Sequence, residues 1–127
     1  GKKDKNDKRL VDTALRENEE EIGIDKNDVI ILREMTKTYI PPSNFWVYPF
    51  LGYLDKTPTF TINYEVETLI EVLVSDLIDD KSLSTKNMTT SYMENIDVPC
   101  FKLNSYVVWG ATAMILSEIK DLFKCIN

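Results

Sequence analysis

The 127 residues are 43% hydrophobic and 28% charged, a composition that suits one globular domain, 1–127, with a core of its own. Twenty-one acidic against fifteen basic residues leave a formal net charge of −6, the wrong sign for a broad cationic nucleic-acid surface. There is no histidine, which excludes Ser-His-Asp and Cys-His catalysis and histidine metal ligation, so acid–base chemistry must come from carboxylates, Lys, Tyr or Cys.

The opening GKKDKNDKR is charged with both signs and has no apolar stretch behind it, unlike a signal peptide. Leu10, Val11, Ala14, Leu15 and Ile22 then recur at helical spacing, with Asp12 or Thr13 suited to the N-terminal end and Gly23 to the stop. Asp25 to Asp28 make a turn, and the β-branched run Val29 to Met35 predicts a strand. Two prolines in YIPPSN predict a loop. Phe45 to Leu54 is apolar on both alternating faces, which predicts a buried strand, with Pro49 marking a bulge or an edge.

After a turn at Asp55 to Thr59, the stretch 59–80 begins strand-like and ends as a short helix near Val74 to Ile78. The polar segment 79–95 reads as a mobile loop or a hairpin. Pro99 to Gly110 alternates as a strand, and Ala111 to Ile126 is an amphipathic closing helix. Strands and helices mix without a strict βαβ rhythm, favouring a layered α/β sandwich around a mixed sheet. Cys100 and Cys125 have no metal-binding spacing and read as free thiols of a cytoplasmic protein. No apolar run approaches the roughly 18 residues of a membrane span.

The densest chemistry lies in RENEEEIGI, residues 16–24. On a helix Glu17, Glu20 and Glu21 stand at i, i+3 and i+4, with Cβ atoms roughly 5–6 Å apart, while Glu19 points elsewhere. Three like charges so close repel one another, and a hard divalent cation such as Mg²⁺ or Mn²⁺ reverses the sign of that interaction. An acidic run alone reads as a solvated face; the flanking residues favour a metal site.

Gly1, Asp7, Arg16, Glu17, Glu20, Glu21, Gly23 and Ile24 resemble the signature of Nudix hydrolases, GX5EX7REUXEEXGU, where U is bulky and apolar. Asp7 stands where the pattern has Glu, one extra residue precedes Arg16, and Asn18 replaces an apolar residue. Within that family the wording, including TALRE at Thr13 to Glu17, is similar to the coenzyme A diphosphatase branch. YEVETLIEVLVSDLID and VVWGATAMILSEI are similar to later segments of that branch, PPSNFWVYPFLGYLD occupies the place of one of its strands, and Leu73 replaces an expected proline.

The resemblance implies a Nudix fold, an α/β/α sandwich with a mixed sheet. It also implies strands before the box that this sequence does not contain, and hence an open or otherwise covered sheet edge near the box helix. It implies a hydrolase in which Glu17, Glu20 and Glu21 hold Mg²⁺ or Mn²⁺ and Arg16 orients them through ion pairs. Glu17 or Glu65 would accept a proton from water; Glu65 reads equally as a surface residue.

The implied substrate is a small nucleotide diphosphate, coenzyme A or an acyl-CoA, cleaved to 3′,5′-ADP and a phosphopantetheine. The alternatives are ADP-ribose, dinucleotides or nucleoside triphosphates, or a catalytically silent nucleotide-binding module. No membrane partner is expected, and a homodimer stays open. Phe45, Trp46 and Tyr48 read either as core packing or as a platform for adenine, and Trp109 with Gly110 as core packing.

Overall fold

The computed structural model describes residues 1–126, so the final residue of the expected 1–127 domain lies outside the described residues. In chain order the elements are α1 (Leu10–Ile22), β1 (Ile30–Glu34), β2 (Thr38–Ile40), β3 (Phe45–Val47), β4 (Phe50–Tyr53), α2 (Val74–Ile78), β5 (Leu83–Thr90), β6 (Met93–Leu103), β7 (Tyr106–Trp109) and α3 (Gly110–Cys125). They form two compact units, one made of residues 1–35 and 48–69, the other of 36–47 and 70–127.

In the first unit α1 starts where the sequence predicts. The Asp12 carboxylate accepts the Arg9 backbone N–H at 3.0 Å, and an acidic residue in the first turn suits the helix dipole. The helix ends at Gly23, whose φ of 76° is the left-handed C-cap that glycine adopts without steric cost. β1 and β4 pair antiparallel, from Ile30↔Tyr53 to Glu34↔Phe50, with an irregularity between Ile31 and Arg33. No third strand joins this ladder among the described residues, and every residue of β1 is exposed.

The second unit holds a larger core. β5, β6 and β7 form an antiparallel three-stranded sheet. The polar segment 79–95, left open between loop and hairpin, supplies β5 and the first turn of a long hairpin, with Leu83 opposite Phe101 and Met88 opposite Ile96. The single strand expected over 99–110 is instead broken by a two-residue turn. Asn104 and Ser105 both take positive φ, 48° and 69°, the backbone a tight hairpin demands. Phe101 and Leu103 share one face of β6 and pack with Leu77 and with Ala113 of α3. Lys120 is buried on α3 with its Nζ 3.2 Å from Asp80 Oδ1 and over the Phe101 ring. The Lys124 and Lys120 ammonium groups hold the Asp80 carboxyl below the ordinary carboxylate range.

Three further sequence expectations are corrected. The run 45–54 is not one buried strand: it divides at Tyr48–Pro49, β3 pairing with β2 in the second unit and β4 with β1 in the first. Pro49 cannot donate to a ladder, and its carbonyl instead accepts the Met35 N–H at 2.9 Å. The YIPPSN loop is shorter than expected, since Tyr39 and Ile40 belong to β2 and only 41–44 turn the hairpin. The stretch from Thr59 to the start of α2 forms no strand; it is irregular chain with a turn at 64–65, for a reason given below. The mixed α/β content agrees with the expected Nudix fold, and all the described ladders are antiparallel.

Candidate metal centre

The centre lies wholly in the first unit and begins with a buried carboxylate. Asp7, only 8% exposed, accepts Thr13 Oγ1 at 3.0 Å, the Asp4 N–H at 2.8 Å and three contacts from Arg16 Nε and Nη2 at 3.0–3.3 Å. The Arg16 guanidinium, helped by the Asp4 amide and the Thr13 hydroxyl, holds its carboxyl at about 2 against an ordinary value of 3.8. Asp7 in turn raises the Arg16 guanidinium further above its already high value. A shorter acid therefore serves where the pattern has Glu, with Thr13 bonded to the same oxygen.

With Nε and Nη2 committed to Asp7, Arg16 aims Nη1 along the helix. It meets Glu17 Oε1 at 3.2 Å and Glu20 at 3.3 Å. The planar fork of arginine is what allows three acids to be served at once. Arg16 Nη2 also donates to the Lys2 carbonyl at 3.0 Å, drawing the N-terminal loop against the helix. Gly1 lies so close to Glu17 that a Cβ there would fall 2.0 Å from the Glu17 carboxyl carbon. Any side chain at Gly1 would push the Glu17 carboxylate aside.

The other side of the centre arrives from residues 61–66. An α-helix leaves its last carbonyls without partners. Here Thr61 N–H donates to the Ile22 carbonyl and Asn63 N–H to the Glu21 carbonyl, both at 3.0 Å. This docking replaces the strand expected after Thr59. Gly23 permits the approach, since a Cβ on it would lie 3.0–3.1 Å from Thr61 atoms. The chain then turns at Asn63, and Glu65 comes to rest beside the helix.

As a result Glu17, Glu21 and Glu65 each offer a carboxylate oxygen, all within 4.8 Å of one another. Octahedral Mg²⁺ or Mn²⁺ with bonds of about 2.1 Å separates adjacent oxygens by roughly 3 Å and opposite ones by roughly 4.2 Å. Three oxygens gathered within 4.8 Å match the scale of such an ion's ligand shell. All are hard oxygen donors, matching these cations and not a thiolate metal.

The residues expected from the sequence thus separate. Glu17 and Glu21 face the cluster, Glu65 joins them from the distant turn, and Arg16 braces Glu17 from behind. Glu20, which the periodicity set beside Glu17 and Glu21, is outside the cluster, 54% exposed and paired with Arg16. Glu19 is half-buried and accepts the Lys26 N–H at 3.2 Å. Asn18, at the pattern's apolar position, lines a cleft of about 400 Å³ with Ala14, Leu15, Ile31 and Phe50.

In the second unit Trp46 and Tyr39 face each other across the β2–β3 hairpin at 5.3 Å, with the Lys37 ammonium 4.7 Å over the indole. Phe45 and Trp46 are each 52% exposed and Tyr48 38%, so core packing does not describe them. Asn63 was missed as a contributor; its local signal is an Asn able to bond the backbone two residues on. Gly1 and Thr13 stood within the signature wording without a role of their own.

No protein-family model matches the chain. Over 105 residues it is 27% identical to a peroxisomal coenzyme A diphosphatase of Caenorhabditis elegans, a stretch that is 81% of this chain and 43% of that protein. Over 122 residues it is 29% identical to an uncharacterised Nudix hydrolase, NudL, of Yersinia pestis and of Yersinia pseudotuberculosis, covering 94% of this chain and 59% of theirs. The chain spans about half the length of the curated relatives it matches.

Proposed function

We propose that this chain, a relative of the Nudix hydrolases, carries the metal-binding part of an enzyme that hydrolyses a diphosphate bond in a small nucleotide derivative. The observation that carries the reading is the convergence of Glu17, Glu21 and Glu65 within 4.8 Å. These residues would hold Mg²⁺ or Mn²⁺. When bound, such a cation neutralises diphosphate oxygens and makes a water more acidic.

Arg16 fixes Glu17 by a charge-assisted bond, so Glu17 enters the centre oriented and already an acceptor. Glu20 shares the same guanidinium and acts as a brace. No described residue bonds the Glu65 carboxylate, so the oxygen it does not offer to the cluster is open to take the proton from the attacking water. The water oxygen bonds to one phosphorus, the bridging P–O bond breaks, and the leaving phosphate carries away the electron pair. Of the two bases the sequence left open, Glu65 is therefore our choice.

Coenzyme A or an acyl-CoA is the proposed substrate, yielding 3′,5′-ADP and a phosphopantetheine. The support is the name of the nematode relative and the TALRE wording of Thr13 to Glu17. The proposed location is the cytoplasm, where the two free cysteines, Cys100 and Cys125, would stay reduced. No helix among the described residues is long and apolar enough to cross a membrane.

The test is a panel of coenzyme A, acetyl-CoA, ADP-ribose, a diadenosine polyphosphate and ATP with Mg²⁺ or Mn²⁺, products being read by phosphorus NMR. Coenzyme A should be split and Glu21→Gln should abolish the reaction. Cleavage of ADP-ribose alone would move the substrate, and hydrolysis unaltered in Glu21→Gln would end the metal-centre reading.

A further inference from the structure

We propose that Asn63 is a positioning residue, setting Glu65 against Glu17 and Glu21 by holding the 61–66 turn on the end of α1; this rests on the metal-centre reading above. Three bonds meet at Asn63. Its N–H donates to the Glu21 carbonyl at 3.0 Å, its side-chain Oδ1 accepts the Glu65 N–H at 2.9 Å, and its carbonyl accepts the Val66 N–H at 3.2 Å. One residue thus joins the backbone of Glu21 to the backbone of Glu65, and both carry cluster carboxylates.

Packing does little of this work. Tyr64 is 93% exposed and Ile62 45%, so the side chains flanking Asn63 bury little surface on the helix. Glu65 itself is exposed, and it is drawn toward two carboxylates of its own sign. A free segment would relax away from them. What restrains it is the pair of amides on the orphan carbonyls of α1 together with the Asx turn that Asn63 closes. Alanine at 63 keeps the backbone bond to Glu21 and loses the turn; aspartate keeps both.

The experiment measures Mn²⁺ affinity by electron paramagnetic resonance and, on metal-free protein, hydrogen exchange at the Glu65 amide. Asn63→Ala should weaken Mn²⁺ binding roughly 10-fold, in the range typical of residues that orient a ligand. Exchange at the Glu65 amide should accelerate, and Asn63→Asp should retain wild-type behaviour in both readouts. In a Glu65→Gln background Asn63→Ala should cost nothing further, because the ligand it positions is gone. Asn63→Gln, which keeps the amide but is too long to close the turn, should behave as alanine and serves if alanine fails to fold.

Wild-type affinity in a folded Asn63→Ala or Asn63→Gln overturns the positioning role, as does an equal loss in the Glu65→Gln background. Identical Mn²⁺ binding by wild type and Glu21→Gln overturns the metal centre itself, a separate result from either of these.

Discussion

The two long helices bury different things. α3 buries Ala113 and the stem of Lys120 against the Leu77, Phe101 and Leu103 cluster, so its position is set by apolar area. α1 buries one residue, Thr13, and its position against the N-terminal loop is set by hydrogen bonds running from Thr13 and Asp7 through Arg16 to Glu17 and Glu20. An apolar contact is non-directional and tolerates small shifts, whereas a guanidinium fork has one geometry. Damage to the first should appear as lost stability, and damage to the second as displaced carboxylates.

The largest expected effect tests the apolar side. Phe101→Ala, at a residue 1% exposed, should cost about 3–5 kcal/mol of unfolding free energy in denaturant titrations. A cost under about 1 kcal/mol would show that the α3 cluster is not the organising core. On the polar side, Glu21→Gln should reduce diphosphate hydrolysis by more than the roughly 100-fold typical of an outer-shell change, while its melting temperature stays near wild type. A large drop in melting temperature would erase the contrast.

Arg16→Lys comes next. A point charge cannot meet Asp7, Glu17 and Glu20 together, so turnover and Mn²⁺ affinity should fall roughly 10- to 100-fold. Equal activity would mean that the fork does not orient Glu17. A smaller effect lies in pH. Asp7 is depressed in the folded state to about 2 from 3.8, so its contribution is complete above about pH 4 and is lost as pH falls toward 2. In Asp7→Asn the stability difference from wild type should narrow across that window; a constant difference would count against it. The smallest effect is expected at Glu19, where alanine should change stability by no more than about 0.5 kcal/mol and leave hydrolysis intact.

Much of α1 was legible because helices are local. Apolar spacing, Asp12 and Gly23 marked its ends, and the i, i+4 relation of Glu17 and Glu21 followed from helical geometry. The second hairpin turn was not legible: Asn104 and Ser105 lie inside an alternating run, and nothing local announces that both take positive φ. The split at Pro49 had a signal, but whether it marked a bulge or a passage between two ladders depends on which strands lie nearby.

By itself the sequence determined that a helix with a row of glutamates and an arginine would end at Gly23, because each contact involved spans only a few residues. Only the tertiary structure decided which glutamates face one another. Glu20 and Glu17 are equally reachable from Arg16, yet Glu20 stays at the brace while Glu65, 44 positions beyond Glu21, takes a place in the cluster. The physical reason is that the end of a helix must satisfy its last carbonyls, and here a distant turn satisfies two of them.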